Sequence, residues 1–221
     1  MAINDMLGLL ASENQGSSGF HHARKWPDER FTMKSQQENN MTTILALGDS
    51  LTTGYGLAPE HSFASRLEQV LKQEGRNTKV INGGVSGDTA YDGLRRLKNL
   101  LRHKPDLVIV EFGANDLYMG LPVEEVRDNL TRIIDKCLSS GARVLLAGVL
   151  SLLNLDDDYM RRFHKAFEDV ARSKGVVFLP DFMPGIPGNF EYTLPDGIHP
   201  NEAGVDKIVE HVLPVLRPLL Y

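Results

Sequence analysis

A hydroxyl, an imidazole, a carboxylate and two small hydrogen-bond donors stand beside apolar runs in this sequence, and together they could carry out acyl transfer. Ser50 sits in Gly48-Asp49-Ser50-Leu51, directly after the apolar run 42–48. A serine hydroxyl is a weak nucleophile until a base takes its proton. His199 lies in Asp196-Gly197-Ile198-His199-Pro200, three residues beyond an acid, an offset over which one short turn can deliver both side chains together. The carboxylate would hold the imidazole's tautomer and stabilise the imidazolium, leaving the other ring nitrogen to face the hydroxyl. Attack on an acyl carbon puts charge on its oxygen, so donors must be aimed there. Gly87 lacks a Cβ and offers a backbone N–H that a substrate can approach, just ahead of a helix that Asp88 or Thr89 should cap. Asn115, in Gly113-Ala114-Asn115-Asp116, offers a side-chain amide.

Taken singly, each residue has a plainer role. Ser50 could cap a helix or form a turn, Asp196 and His199 could cap the last helix, and Gly87 and Asn115 are ordinary turn residues. The GxSxG elbow of α/β-hydrolases is absent around Ser50. The other histidines, His21, His22, His61, His103, His164 and His211, lie in the N-terminal segment or in predicted helices, where solvated or packed roles suffice.

The elements that must position these groups alternate along the chain. Short runs rich in branched apolar residues at 42–48, 78–83, 106–113, 142–149 and 175–180 have the pattern of strands buried on both faces. Between them, apolar residues at helical spacing (Phe63, Leu67, Leu71; Leu94, Leu97, Leu101; Val126, Leu130, Ile133, Cys137; Phe163, Phe167, Val170) predict amphipathic crossover helices, with Gly75, Gly141 and Gly175 at their ends. A last helix carries Val205, Ile208, Val209, Val212 and Leu216. Strict alternation predicts an α/β fold: a five-stranded parallel sheet between helical layers, a flavodoxin-like three-layer sandwich. In such sheets ligands bind beyond the carboxyl ends of the strands, where the loops 48–56, 83–89, 113–120 and 194–201 fall.

Composition narrows the classes. The chain has 221 residues, 42% hydrophobic and 24% charged, with a formal net charge of −5. That suits one soluble globular domain plus a tail and disfavours nucleic acid as a partner. A single cysteine, Cys137, allows no internal disulfide, and no Cys/His spacing suits structural zinc. No apolar stretch is long enough to cross a membrane. Residues 1–40 are polar and aperiodic and are expected to form a flexible extension to a domain over 41–221. Asp5 and the lack of a basic residue ahead of the first apolar run argue against a secretory signal, so a cytoplasmic location is expected. A periplasmic or secreted location is the alternative if residues 1–40 are not native.

Together, GDSL with Ser50, GVSGDT with Gly87, GAND with Asn115 and DGIHP with Asp196 and His199 resemble the four blocks of the SGNH (GDSL-type) hydrolase family, in order, over about residues 41–220. Within the family the chain is most similar to the bacterial thioesterase I, lysophospholipase L1 and arylesterase group. The resemblance implies a three-layer α/β/α sandwich and ester hydrolysis without metal or cofactor. It also implies Ser50 as nucleophile, His199 as base, Asp196 as its orienter, and the Ser50 N–H, Gly87 and Asn115 as oxyanion-hole donors.

The function expected is a serine esterase acting through an acyl-enzyme on small-molecule carboxylic esters or thioesters of short to medium chain. The alternative is an acetylesterase acting on carbohydrate or other small acetyl esters. Loop residues Leu51, Tyr55, Leu57, Leu117, Tyr118, Met119, Leu121, Leu152, Leu153, Leu155, Phe182, Met183, Ile186 and Phe190 could line an acyl groove or pack under their own loops. A nucleotide-binding module fits poorly, because GxxxxGK[ST] and GxGxxG are both absent.

Overall fold

The computed structural model describes residues 41–220 apart from 153 and 155. The N-terminal extension expected over residues 1–40 therefore lies outside the described residues. Five strands form one parallel sheet: β1 (Thr42–Gly48), β2 (Thr78–Gly84), β3 (Leu107–Glu111), β4 (Arg143–Ala147) and β5 (Val177–Leu179). Their order across the sheet is β2-β1-β3-β4-β5. This is the flavodoxin-like order, with its switch point between β1 and β3. The central strand β3 is buried at every residue, as expected of a parallel sheet covered on both faces.

Among the described residues there are seven α-helices: α1 (Ser50–Thr53), α2 (Phe63–Gln73), α3 (Ala90–Leu100), α4 (Ala114–Tyr118), α5 (Val123–Ser139), α6 (Asp158–Lys174) and α7 (Glu202–Leu216). Helix α2 packs against α7, whereas α3 packs against α5 and α5 against α6, which supplies one layer to each face of the sheet. Along α5 the buried side chains Val126, Leu130, Ile133, Ile134 and Cys137 repeat at the helical period, and Glu124 and Glu125 in its first turn complement the helix dipole. Helix α6 begins where the Asp157 side chain accepts the Met160 N–H and stops at Gly175 in the left-handed region. Strand β1 matches its apolar run and β2 exceeds its own by one residue, whereas β3, β4 and β5 are shorter than the runs that predict them. Phe112 and Gly113 leave the sheet after β3, with Gly113 at φ 123°.

Among the described residues no helix is long and apolar enough to cross a membrane. No cluster of three or more His, Cys, Asp or Glu side chains is arranged to hold a metal ion there.

Candidate active site

All the singled-out residues stand at the carboxyl edge of the sheet, on either side of the switch point. After β1 the chain turns at once into α1, whose N-cap is Asp49: its carboxylate accepts the Leu51 N–H at 3.0 Å. Ser50 is thus the first residue of a short helix rather than its cap. The turn is tight because Gly48 has no side chain; a Cβ there would lie 2.6 Å from the Glu111 carbonyl and carboxylate and would strike the Thr52 hydroxyl. Ser50 is itself largely buried.

The loop before α7 brings the second group. His199 Nε2 lies 3.1 Å from Ser50 Oγ, and His199 Nδ1 lies 2.7 Å from Asp196 Oδ2. With Nδ1–H donating to the carboxylate, Nε2 is left as the acceptor for the serine proton. Asp196 Oδ1 accepts the backbone N–H groups of Ile198 and His199 at 2.9 and 3.0 Å, so the turn that carries the imidazole also fixes the acid. Partial burial alone would raise the Asp196 carboxyl. The Ile198 N–H and the His199 ring and N–H outweigh it and hold the carboxyl below its ordinary value. Neither residue caps α7, because that place is taken by Asn201, whose side chain accepts the Gly204 N–H. The Tyr55 ring lies over the imidazole, with centroids 4.4 Å apart.

Gly87 occupies the third position of a turn closed by Asp88 N–H donating to the Val85 carbonyl at 3.2 Å, with φ 87°. That geometry is the type II turn, whose third residue is normally glycine. Gly87 is exposed, and among the described residues neither its N–H nor that of Ser50 has an acceptor. Thr89, not Asp88, caps α3, in a capping box with Asp92.

Asn115 lies in α4, and its amide reaches across to the neighbouring loops instead of satisfying its own turn. Nδ2 donates to Asp49 Oδ2 at 3.0 Å and to the Asp88 carbonyl at 2.9 Å. Both amide hydrogens are therefore engaged by protein acceptors. Beneath the site lie three buried acids that sequence reasoning missed as a group. Burial, opposed by the Leu51 N–H, pushes the Asp49 carboxyl up to about 6. Glu111, which accepts from Thr52 Oγ1 at 2.8 Å, is raised well above its ordinary value by burial and by the Asp49 charge. Asp116, which accepts from Ala90 N–H, is pushed up to about 6 by burial. Asp49 and Asp116 directly adjoin Ser50 and Asn115 in sequence, and that adjacency was the available signal.

The expected acyl groove is partly corrected. Leu51, Phe182, Met183 and Ile186 belong to the core, and Leu117 is nearly buried. Leu57, Leu121 and Leu152 pack against that core. Leu153 and Leu155 lie outside the described residues. Tyr55, Tyr118, Met119 and Phe190 remain, 49%, 59%, 63% and 71% exposed, on the loops that carry Ser50, Asn115 and His199.

Serine, imidazole and carboxylate aligned in hydrogen-bonding range at the edge of a 2-1-3-4-5 parallel sheet define a hydrolase of the three-layer α/β/α class. Residues 46–207 match the family model described as GDSL-like lipase/acylhydrolase, and the chain belongs to that family. It is 35% identical to esterase TesA of Pseudomonas aeruginosa over 83% of this chain and 92% of that protein. It is 32% identical to thioesterase 1/protease 1/lysophospholipase L1 of Escherichia coli over 80% of this chain and 85% of that one. Among solved structures, that of TesA superposes with a TM-score of 0.76 at 35% identity, covering 81% of this chain and 100% of that chain. The chain is accordingly a carboxylic ester hydrolase.

Proposed function

We propose that the chain hydrolyses short- to medium-chain carboxylic esters and thioesters through an acyl-enzyme on Ser50. The single observation that carries the reading is the line from Ser50 Oγ through His199 to Asp196, at 3.1 and 2.7 Å. Ser50 Oγ attacks the acyl carbon as its proton passes to His199 Nε2, and the carbonyl π electrons move onto oxygen. The N–H groups of Ser50 and Gly87 and the Asn115 amide receive that oxyanion. As the tetrahedral state collapses, the imidazolium gives its proton to the departing alcohol or thiol, leaving Ser50 acylated. Water, deprotonated by the same nitrogen, attacks the acyl carbon and releases the acid and the Ser50 hydroxyl. Asp196 keeps the ring in the required tautomer and stabilises its charged form. No step calls on a metal or cofactor.

The exposed aromatic and Met side chains around the site favour an apolar acyl group. A carbohydrate or small-ester acetylesterase, which would call for a small polar acyl pocket, has less behind it. We propose also that residues 41–221 form the hydrolase domain and residues 1–40 an extension to it.

Labelling with a fluorophosphonate probe, followed by mapping of the modified residue, tests the reading. Wild-type protein should be labelled on Ser50, and Ser50→Ala should lose both label and turnover while keeping its circular dichroism. Near wild-type turnover in folded Ser50→Ala would overturn the assignment. Asp196→Asn should lower kcat by up to about four orders of magnitude; a change confined to KM would remove Asp196 from the constellation. Profiling with p-nitrophenyl esters of increasing length separates the two substrate readings.

A further inference from the structure

Arg96 lies on α3, in sequence an unremarkable cation beside Arg95, yet its guanidinium is spent on the framework of the site. Nε donates to Asp88 Oδ2 at 2.6 Å, Nη1 to the Gly83 carbonyl at 2.5 Å and Nη2 to the Gly48 carbonyl at 2.9 Å. Gly48 is the last residue of β1 and Gly83 the penultimate residue of β2, adjacent strands paired in register. A planar fork of donors suits such a pair of neighbouring carbonyls, which an ammonium could not span. The Arg96 and Asp88 side chains are only 23% and 15% exposed, so this charge-assisted contact is less screened than a surface pair.

Two of these acceptors lead to different parts of the site. Gly48 precedes Asp49 and Ser50, and its carbonyl also accepts the Val85 N–H at 3.1 Å. Asp88 follows Gly87, and its own N–H closes the turn that aims the Gly87 N–H. The Asp88 carbonyl holds the Asn115 amide at 2.9 Å. One cation therefore ties together the loops of the three candidate oxyanion donors.

We propose that Arg96 is a positioning residue, acting mainly through Asp88, that holds the Gly87 N–H and the Asn115 amide in register with Ser50. The proposal rests on the acyl-enzyme reading above. It makes the transition state, rather than substrate binding, sensitive to a side chain that need not touch substrate.

The test compares Arg96→Met, Arg96→Lys, Asp88→Asn and the double variant Arg96→Met/Asp88→Asn, assayed well below their melting temperatures. Arg96→Met is expected to lower kcat by roughly 10- to 100-fold, the scale of a misplaced catalytic group, with KM within about twofold. Affinity for a trifluoromethyl ketone, whose adduct with Ser50 carries the oxyanion, should fall in parallel. Arg96→Lys should recover part of the loss, because an ammonium can keep Asp88 but not both carbonyls. The double variant should be little worse than the poorer single. Normal kcat and ketone affinity in a variant with lowered melting temperature would overturn the proposal and leave Arg96 a structural staple; additive losses would overturn action through Asp88. If Arg96→Met does not fold, Arg96→Lys and Asp88→Asn carry the same two readouts. Turnover by Ser50→Ala would overturn the acyl-enzyme reading, whereas an inactive Ser50→Ala beside an Arg96→Met with normal kcat would overturn this proposal alone.

Discussion

Asn115 Nδ2 lies 3.0 Å from Asp49 Oδ2, so the amide proposed for the oxyanion is already held by the residue preceding the proposed nucleophile. Its second hydrogen goes to the Asp88 carbonyl. To serve a developing oxyanion, one of these acceptors must give way or share, and only a fully charged oxygen competes well for the donor. On the proposed mechanism these two contacts would aim the amide before substrate arrives and give it up as charge builds.

Asn115→Ala is accordingly expected to lower kcat by roughly 10² to 10³, or about 2.7–4 kcal/mol, with KM little altered. Steady-state kinetics and a thermal melt on the same variant check this. A normal kcat with a lowered melting temperature would reduce Asn115 to a tie between loops.

The buried acids set a pH dependence of stability with a definite sign. Asp49 and Asp116 stand at about 6 in the fold against 3.8 ordinarily, and Glu111 is raised as well. Asp49 faces the Glu111, Asp116 and His199 charges, and Asp116 those of Asp92 and Glu125. A carboxyl raised on folding keeps a proton that the unfolded chain has released. Its contribution is therefore present below about pH 4 and is lost as pH rises through about 6, each tenfold change in proton affinity being worth roughly 1.4 kcal/mol. Asp196, Glu68 and Glu74 are lowered instead and act in the opposite sense, losing their contribution as pH falls through their folded values. Urea midpoints should be higher at pH 5 than at pH 8, and Asp49→Asn should narrow the difference. An equal or higher midpoint at pH 8 would contradict the burial argument.

The Tyr55 ring over His199 should favour the imidazolium that forms during turnover. At this half-exposed site the contact is worth about 0.5–1 kcal/mol. Tyr55→Leu should lower kcat by roughly two- to fivefold, whereas Tyr55→Phe, which keeps the ring, should stay near wild type. Comparable loss in both variants would point to the hydroxyl instead.

Deleting residues 1–40 is expected to leave esterase turnover and melting temperature nearly unchanged, since the segment has no periodic apolar face to bury. Trp26, the chain's single tryptophan, provides the check. If it docks on the domain, its loss could cost a few kcal/mol, and truncation would lower the melting temperature by several degrees.

The layered α/β/α fold was legible in the chain because both of its periods are local. Branched apolar runs and i, i+3, i+4 stripes report burial on two faces or one whatever the rest of the chain does, and β1 and α5 lie where those patterns put them. Asp196 and His199 were legible for the same reason, three residues apart on one turn. What joins them to Ser50, which His199 follows by 149 positions, is the order of strands at the switch point. Burial of loop residues was not legible, because Phe182 and Phe190 are alike in type, yet one is fully buried and the other 71% exposed. The tertiary structure alone decided that Arg96 would fork onto the ends of two strands. It alone decided that Asn115 would reach Asp49 and that a buried Asp49 would feel the charges of both Glu111 and Asp116. Hydrogen bonds and charge interactions depend on distance and on exclusion of water, and neither quantity exists until distant segments have packed.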